Sequence, residues 1–208
     1  MKLCADGDDN RADGWQDGRE ERPLNLRLAT RDDLPSLRRL MDEAIARLQA
    51  AYLSPELVEA SRLIMGLDTQ LIEDGTYFAV ESAGEIVGCG GWSRRATLFG
   101  GDHSPGRDAS LLDPRTDAAR VRAMYTHPSQ VRRGVGRSIL GACEAAMARE
   151  GFRRCELAAT LAGEPLYRAC GYRQVERFFA ATPLGIDVPL VLMAKDIEIT
   201  DLSSPGED

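Results

Sequence analysis

The 208-residue sequence is short of the patterns that announce chemistry most directly. It has only two histidines, His103 and His127, far apart and without ligand-spaced companions, so no zinc site is expected. No Ser-His-Asp or Cys-His arrangement stands out. There is no Gly-Lys-Ser/Thr, which excludes a Walker phosphate loop. The five cysteines, Cys4, Cys89, Cys143, Cys155 and Cys170, form no CxxC pair. Odd in number and mostly in apolar contexts, they argue for reduced structural thiols in a cytoplasm rather than a disulfide framework. No run approaches the roughly 18 apolar residues of a membrane span, and no membrane partner is expected. The opening "MKLCADGDDN" turns acidic before any apolar run develops, so no signal peptide is expected either. Positive charge is in deficit: 26 Lys and Arg face 33 Asp and Glu, for a net charge of -7. That weighs against a nucleic-acid partner, whose binders are usually basic.

What is present suits a globular domain with tails: 43% hydrophobic and 28% charged residues. Residues 1–22 carry seven acidic and four basic residues with little to bury, and read as a disordered acidic tail. Residues 200–208 read as a flexible C-terminal tail, which leaves 23–199 as the domain.

Within that domain the alternation of "LNLRLA" (24–29) predicts a half-buried strand. Thr30 and Asp33 then form a capping-box-like start, and Leu34, Leu37, Met41, Ile45 and Leu48 follow at helical spacing. A second helix is expected over 54–66, from Ser54 and Pro55 to Gly66. Runs at 76–82 and 85–92, joined by Ala83-Gly84, predict a hairpin. Residues 95–117 form a long polar connection, of the kind that is functional or disordered. Then come a strand (119–126), a helix (134–150) closed by Gly151, a strand (153–160), a short helix (163–171) and two last strands (172–180 and 188–197). Neither strict βαβ alternation nor an all-β pattern, this order predicts an α/β fold: a mixed sheet with helices on its faces.

"VRRGVGRSIL" (131–140) sits where a strand gives way to a helix. Between Ala118 and Arg137 there are five arginines and no carboxylates. The first N–H groups of a helix lack internal partners and carry the positive end of its dipole, and Gly134 and Gly136 let a ligand approach the backbone. These features suit a phosphate or pyrophosphate. A basic turn before an ordinary helix fits the stretch equally well. A dinucleotide fingerprint does not, because Ile139 stands where its third glycine belongs.

Taken with "ELAATLAGEPLYRACGYRQVERF" downstream, the region resembles the GCN5-related N-acetyltransferases (GNAT). Their pyrophosphate loop reads Gln/Arg-x-x-Gly-x-Gly/Ala, and a second signature places a tyrosine four residues before Gly-Phe/Tyr; here these are Tyr167, Gly171 and Tyr172. The similarity spans nearly all of residues 24–197. Three departures stand out. Val131 replaces the opening Gln/Arg, the asparagine often found before the short helix is absent, and the 95–117 connection is long.

The resemblance implies the acyl-CoA N-acyltransferase fold, with a mixed central sheet of about seven strands and about four flanking helices. It implies an acetyl-CoA-dependent N-acetyltransferase, with acetyl-CoA as co-substrate and no metal. Met124, Tyr125 and Thr126 would lie along the pantetheine, and a backbone N–H near Met124 would polarise the acetyl carbonyl. The N–H groups of Arg132, Arg133, Gly134, Val135, Gly136 and Arg137 would hold the pyrophosphate. Tyr167 would be the general acid, since its reference pKa of about 10 lies above a thiol's, about 8.5. Glu156 is the nearest candidate base, with Glu81 and Asp68 behind it. The acceptor, a small-molecule or peptide amine, would meet Tyr52, Asp68, Trp92, Arg94, Arg95 and Phe99. A non-catalytic acyl-CoA sensor of the same fold is the alternative, and a homodimer is left open.

Overall fold

The computed structural model describes residues 23–198. The segments expected to be tails, 1–22 and 200–208, lie outside the described residues, as does Ile199. The elements run β1 (Asn25–Leu28), α1 (Leu34–Leu48), α2 (Pro55–Ser61), α3 (Thr69–Glu73), β2 (Tyr77–Ser82), β3 (Glu85–Ser93), β4 (Ala119–Thr126), α4 (Val135–Arg149), β5 (Arg154–Thr160), α5 (Glu164–Ala169), β6 (Arg173–Ala180) and β7 (Val188–Asp196).

Two corrections to the expected elements follow from local chemistry. The helix expected over 54–66 stops at Ser61, where the Ser61 hydroxyl bonds the Val58 carbonyl at 2.7 Å and the next turns tighten to three-residue bonds. The short helix α3 was not expected. Five residues are too few to show a 3.6-residue period, and its start is marked only by Asp68, whose carboxylate accepts the Gln70 N–H at 3.2 Å. There are thus five α-helices among the described residues rather than about four. The Thr30–Asp33 capping box forms as expected. Arg27 grips Asp33 with two bonds of 2.7 and 2.8 Å, which holds that carboxyl down to about 2.

The seven strands form one sheet in the order β1-β2-β3-β4-β5-β7-β6. Every neighbouring pair is antiparallel except β4 and β5. The β2–β3 hairpin turns at Ala83 and Gly84, both with positive φ, matching the twist of a tight two-residue turn. On one face α1 buries Leu37, Leu40, Met41, Ala44 and Ile45 against Tyr77, Ala79, Cys89 and Tyr125. On the other, α4 buries Val135, Ile139, Cys143 and Met147 against Val80, Val87, Val121 and Leu157. The start of α4 sits very low on the sheet. A Cβ at Gly88 would lie 2.2 Å from Val135 Cγ1, so only glycine admits the helix at this height.

Strand β4 carries one extra residue. Gly91 pairs with Arg122 and Cys89 with Tyr125, so Gly90 alone faces both Ala123 and Met124. Ala123 adopts φ +49° there, and the buried Tyr77 hydroxyl donates to its carbonyl at 2.8 Å. Such a bulge bends the strand and twists it locally. The parallel pairing of β4 with β5 covers only Ala119–Cys155 and Arg120–Glu156, ahead of the bulge.

The 95–117 connection, expected from its length to be functional or disordered, is a strap tied down at many points. Arg95 holds Asp74 through bonds of 2.8 and 2.9 Å, and Thr97 and Asp108 bond each other's backbones. The strap's main anchor is buried. Arg122 on β4 pairs with Asp68 at 2.9 Å, both side chains about 2% exposed, and it also donates to the carbonyls of Thr97 at 2.8 Å and Gly100 at 2.6 Å. Arg107 of the strap reaches the other oxygen of Asp68 at 2.6 Å.

Breaking one side of such a pair leaves a buried charge uncompensated. Arg122→Ala is expected to lower the unfolding free energy by about 3–5 kcal/mol, read from urea denaturation, and to open the strap to proteolysis. Gly88→Ala is expected to cost about 1–3 kcal/mol through overpacking. Much of that loss should return in the Gly88→Ala/Val135→Ala double variant, which removes the clashing methyls.

Candidate active site

Past Glu156 the two central strands part, and the gap opens into a cleft of about 710 Å³. One wall is the bulged length of β4, Val121 to Thr126. The facing edge is Ala158 and Thr160 of β5, followed by Gly163, Leu166 and Tyr167 at the start of α5. The floor at one end is the loop into α4, with Arg132, Gly134, Val135, Gly136 and Arg137. At the far end lie the last turns of α1, the residues after α2, and Leu98, Phe99 and Gly100 of the strap.

The backbone is prepared for a ligand at two places. Because β5 has moved away, the β4 edge from Val121 onward carries peptide groups without ladder partners on that side. At the loop into α4, the N–H groups of residues 132–137 donate to no backbone carbonyl among the described residues. Gly134 with φ +85° and Arg132 with φ +66° turn successive N–H groups into one concavity at the positive end of a fifteen-residue helix. Gly136 brings α5 close: a Cβ there would lie 2.6 Å from Leu166 Cδ2.

The five arginines counted near this loop divide into two groups. Arg120 is ion-paired with Glu156 across the β4–β5 pairing, and Arg122 is consumed by Asp68. Only Arg132, Arg133 and Arg137 stand at the loop. Arg133 is not among the residues lining the cleft, while Arg137 donates to the Ala169 carbonyl at 3.3 Å. Val131, where the family pattern has Gln or Arg, is 42% exposed and lines the cleft with an apolar side chain.

Tyr167 is 7% exposed and packs edge-on against Tyr172 with ring centroids 5.8 Å apart. Its hydroxyl has no hydrogen-bond partner among the described residues, and burial pushes its pKa well above the ordinary value, so it stays protonated at neutral pH. Met124, Tyr125 and Thr126 all line the cleft. The Tyr125 hydroxyl is committed to the Gly66 N–H at 2.8 Å.

The acceptor-side candidates scatter. Tyr52, 52% exposed, and Phe99, packed against Phe178, line the far end of the cleft. Four others do not. Asp68 is locked beneath the strap. Trp92 is buried edge-on against Phe152 on the α4 face. Arg94 lies over the Trp92 ring and pairs with Glu150 at 2.6 Å. Arg95 belongs to Asp74. The base candidates are also engaged, Glu156 with Arg120 and Arg154, and Glu81 with Arg27. His103 anchors the strap through the Arg62 carbonyl, and His127 caps the turn after β4 and meets Glu43. Burial raises the thiols of Cys89, Cys143 and Cys155 out of reactive range.

Sequence reasoning passed over two residues at the site. Tyr77 looked like one more β-strand aromatic, yet it clamps the Ala123–Met124 peptide. A trans peptide points its C=O and N–H in opposite directions, so the Met124 N–H is turned away from Tyr77. Gln49, at the end of α1, is only 4% exposed and lines the cleft. Nothing in a lone glutamine after a helical run signals that.

Among the described residues, no helix is long and apolar enough to cross a membrane, and no cluster of three or more His, Cys, Asp or Glu could hold a metal ion.

Comparison with known proteins bears on this geometry. The family model described as "Acetyltransferase (GNAT) domain" matches residues 73–174, from the end of α3 into β6. Solved structures share the architecture. A GCN5-related N-acetyltransferase from Rhodopseudomonas palustris superposes with a TM-score of 0.62 at 19% identity, covering 83% of this chain and 94% of that one. The PaiA N-acetyltransferase from Thermoplasma acidophilum, solved with coenzyme A, gives 0.56 at 14% identity over 84% and 99% of the two chains. The ribosomal-protein-S18-alanine N-acetyltransferase from Escherichia coli gives 0.52 at 15% identity over 88% and 99%. At these identities what the chains have in common is the fold. Comparison with curated proteins yields no match. A GNAT domain match across the centre of the sheet, on a fold shared along nearly the whole length of these neighbours, means that residues 73–174 form a GNAT acetyltransferase domain at the heart of this fold.

Proposed function

We propose that the protein, through its 23–199 domain, moves the acetyl group of acetyl-CoA to an amine by direct attack of the amine nitrogen on the thioester. One observation carries this. A single cleft brings together the freed edge of β4, the unpaired N–H groups before α4 and the partnerless hydroxyl of Tyr167. The residues present fit acetyl-CoA: an extended polar arm can pair with Met124, Tyr125 and Thr126 as a strand would, and the concavity of residues 132–137 suits a pyrophosphate. When bound, acetyl-CoA supplies the thioester carbon that is attacked.

The chain's own contribution is positional and electrostatic. The Met124 N–H, its peptide fixed by Tyr77, is the donor nearest the bulge for a developing oxyanion. Tyr167 holds a proton at Oη for the departing sulfur. The acceptor enters from the end formed by α1 and the strap, where Tyr52 and Phe99 remain the proposed contacts. Asp68, Trp92, Arg94 and Arg95 are withdrawn from that role. Glu156, already ion-paired, is not proposed as the base. The acceptor is a small-molecule or peptide amine; the name of the Escherichia coli neighbour, with its alanine acceptor, keeps the peptide in view.

A second function, acyl-CoA sensing without turnover, has one observation in its favour: no carboxylate lines the cleft as a ready base. Release of free CoA across an amine panel separates the two, and tight acetyl-CoA binding with no release from any amine would leave only the sensor. For the enzyme, Tyr167→Phe is expected to lower kcat by about 10²-fold or more, the usual scale of a lost general acid. The KM for acetyl-CoA should stay nearly unchanged, because Phe keeps the packing against Tyr172.

A further inference from the structure

The far end of the cleft is apolar, lined by Ile45, Leu48, Ile64, Met65, Phe99 and Leu190. A buried polar side chain is set among them. Gln49 is 4% exposed and its Oε1 has no hydrogen-bond partner, while its Nε2 reaches only Met65 Sδ at 3.8 Å. A thioether is a weak acceptor, and native proteins seldom leave a buried amide carbonyl unpaired. This one belongs to the wall that an acceptor must pass.

The charged groups of the cleft make a second, independent observation. Among the lining residues there is no Asp, Glu, His, Lys or Cys. The groups that carry or can acquire charge are Arg47 from α1, Arg122 from β4, Arg132 and Arg137 at α4, and the hydroxyls of Tyr52, Tyr125 and Tyr167. Arg122 is neutralised by Asp68 behind it. An ammonium ion entering here would lose water, meet no lining carboxylate and face the Arg47 guanidinium, since Arg132 and Arg137 stand at the loop that holds the pyrophosphate. All three effects disfavour its charged form.

Resting on the acetyl transfer proposed above, we infer that the acceptor is an apolar amine of low basicity, taken up as the neutral free base with an N–H donated to Gln49 Oε1. The lone pair of the nitrogen forms the new C–N bond as the C–S bond breaks. Tyr167 gives its proton to sulfur and recovers one from the nitrogen, so that one proton passes from N to S overall. No further base is required. At pH 7 an α-amine of pKa about 7.7–8.0 is neutral some hundreds of times more often than a lysine-type amine of pKa about 10.4. The cleft therefore discriminates by basicity as well as by shape.

The test uses the full chain with acetyl-CoA and two acceptors of matched apolar body, leucinamide and isopentylamine, measuring CoA release from pH 6 to 9. In the expected result kcat/KM for leucinamide levels off at that amine's own pKa, while that for isopentylamine is still rising at pH 9. At pH 7 leucinamide is favoured by about a hundredfold or more, and the gap shrinks to within about tenfold when rates are expressed per free base. Gln49→Leu should lower acceptor kcat/KM about tenfold or more while leaving acetyl-CoA binding intact. Gln49→Glu should move preference toward isopentylamine by supplying the missing counter-charge. The wild-type pH profiles stand by themselves if a variant does not fold. An inflection common to both acceptors, preference for isopentylamine at pH 7, or full acceptor activity in Gln49→Leu overturns the inference alone. Bound acetyl-CoA with release from neither amine overturns the transferase proposal and this inference together.

Discussion

The parting of β4 from β5 is the constraint from which the site follows. Two parallel strands that paired along their full length would leave no room at the sheet's centre and no free peptide groups. Here the pairing ends after Arg120 and Glu156, and one extra residue in β4 turns the strand away. Backbone polar groups freed inside a protein need partners, which makes the gap suited to an extended, hydrogen-bonding ligand. The chain spends a left-handed alanine on this geometry, a conformation that costs a non-glycine residue of order 1 kcal/mol or more. Tyr77 holds it in place from below.

The buried pair of Arg122 and Asp68 is of a different kind. Desolvating two charges is expensive, and such pairs seldom add net stability over an apolar substitute. What this one provides is connection. A single guanidinium joins β4, the α3 cap and two strap carbonyls, so that the wall carrying Phe99 is fixed relative to the strand carrying the bulge. The strap's length, which marked it as a loop in the sequence, is compatible with order because its polar groups close on one another and on the body of the domain.

Much of the frame was legible in the sequence. The strand at 119–126 and the helix beginning after Gly134 declared themselves through alternation, periodicity and glycine placement, all of them local signals. The acceptor side was not legible, because its logic is long-range. Trp92 and Arg94 sit next to the strap in sequence, yet Trp92 packs onto the α4 face and Arg94 over its ring. The arginine cluster likewise looked like one basic patch. Two of its members are cancelled by carboxylates far along the chain, Glu156 and Asp68, which no local count of charge can anticipate. Gln49 could not be read at all: its significance comes from what surrounds it and not from any spacing.

The Tyr77 hydroxyl has a wider consequence. Tyr77 is fully buried in the core that α1 closes, and its one polar atom reaches through to the peptide at Ala123. Scaffold and reactive centre are consequently not separable layers. The packing of Leu37, Met41 and Ile45 and the orientation of one N–H are two ends of the same lever, so a sequence drifting to a new acceptor has freedom in the walls of the cleft and very little beneath them.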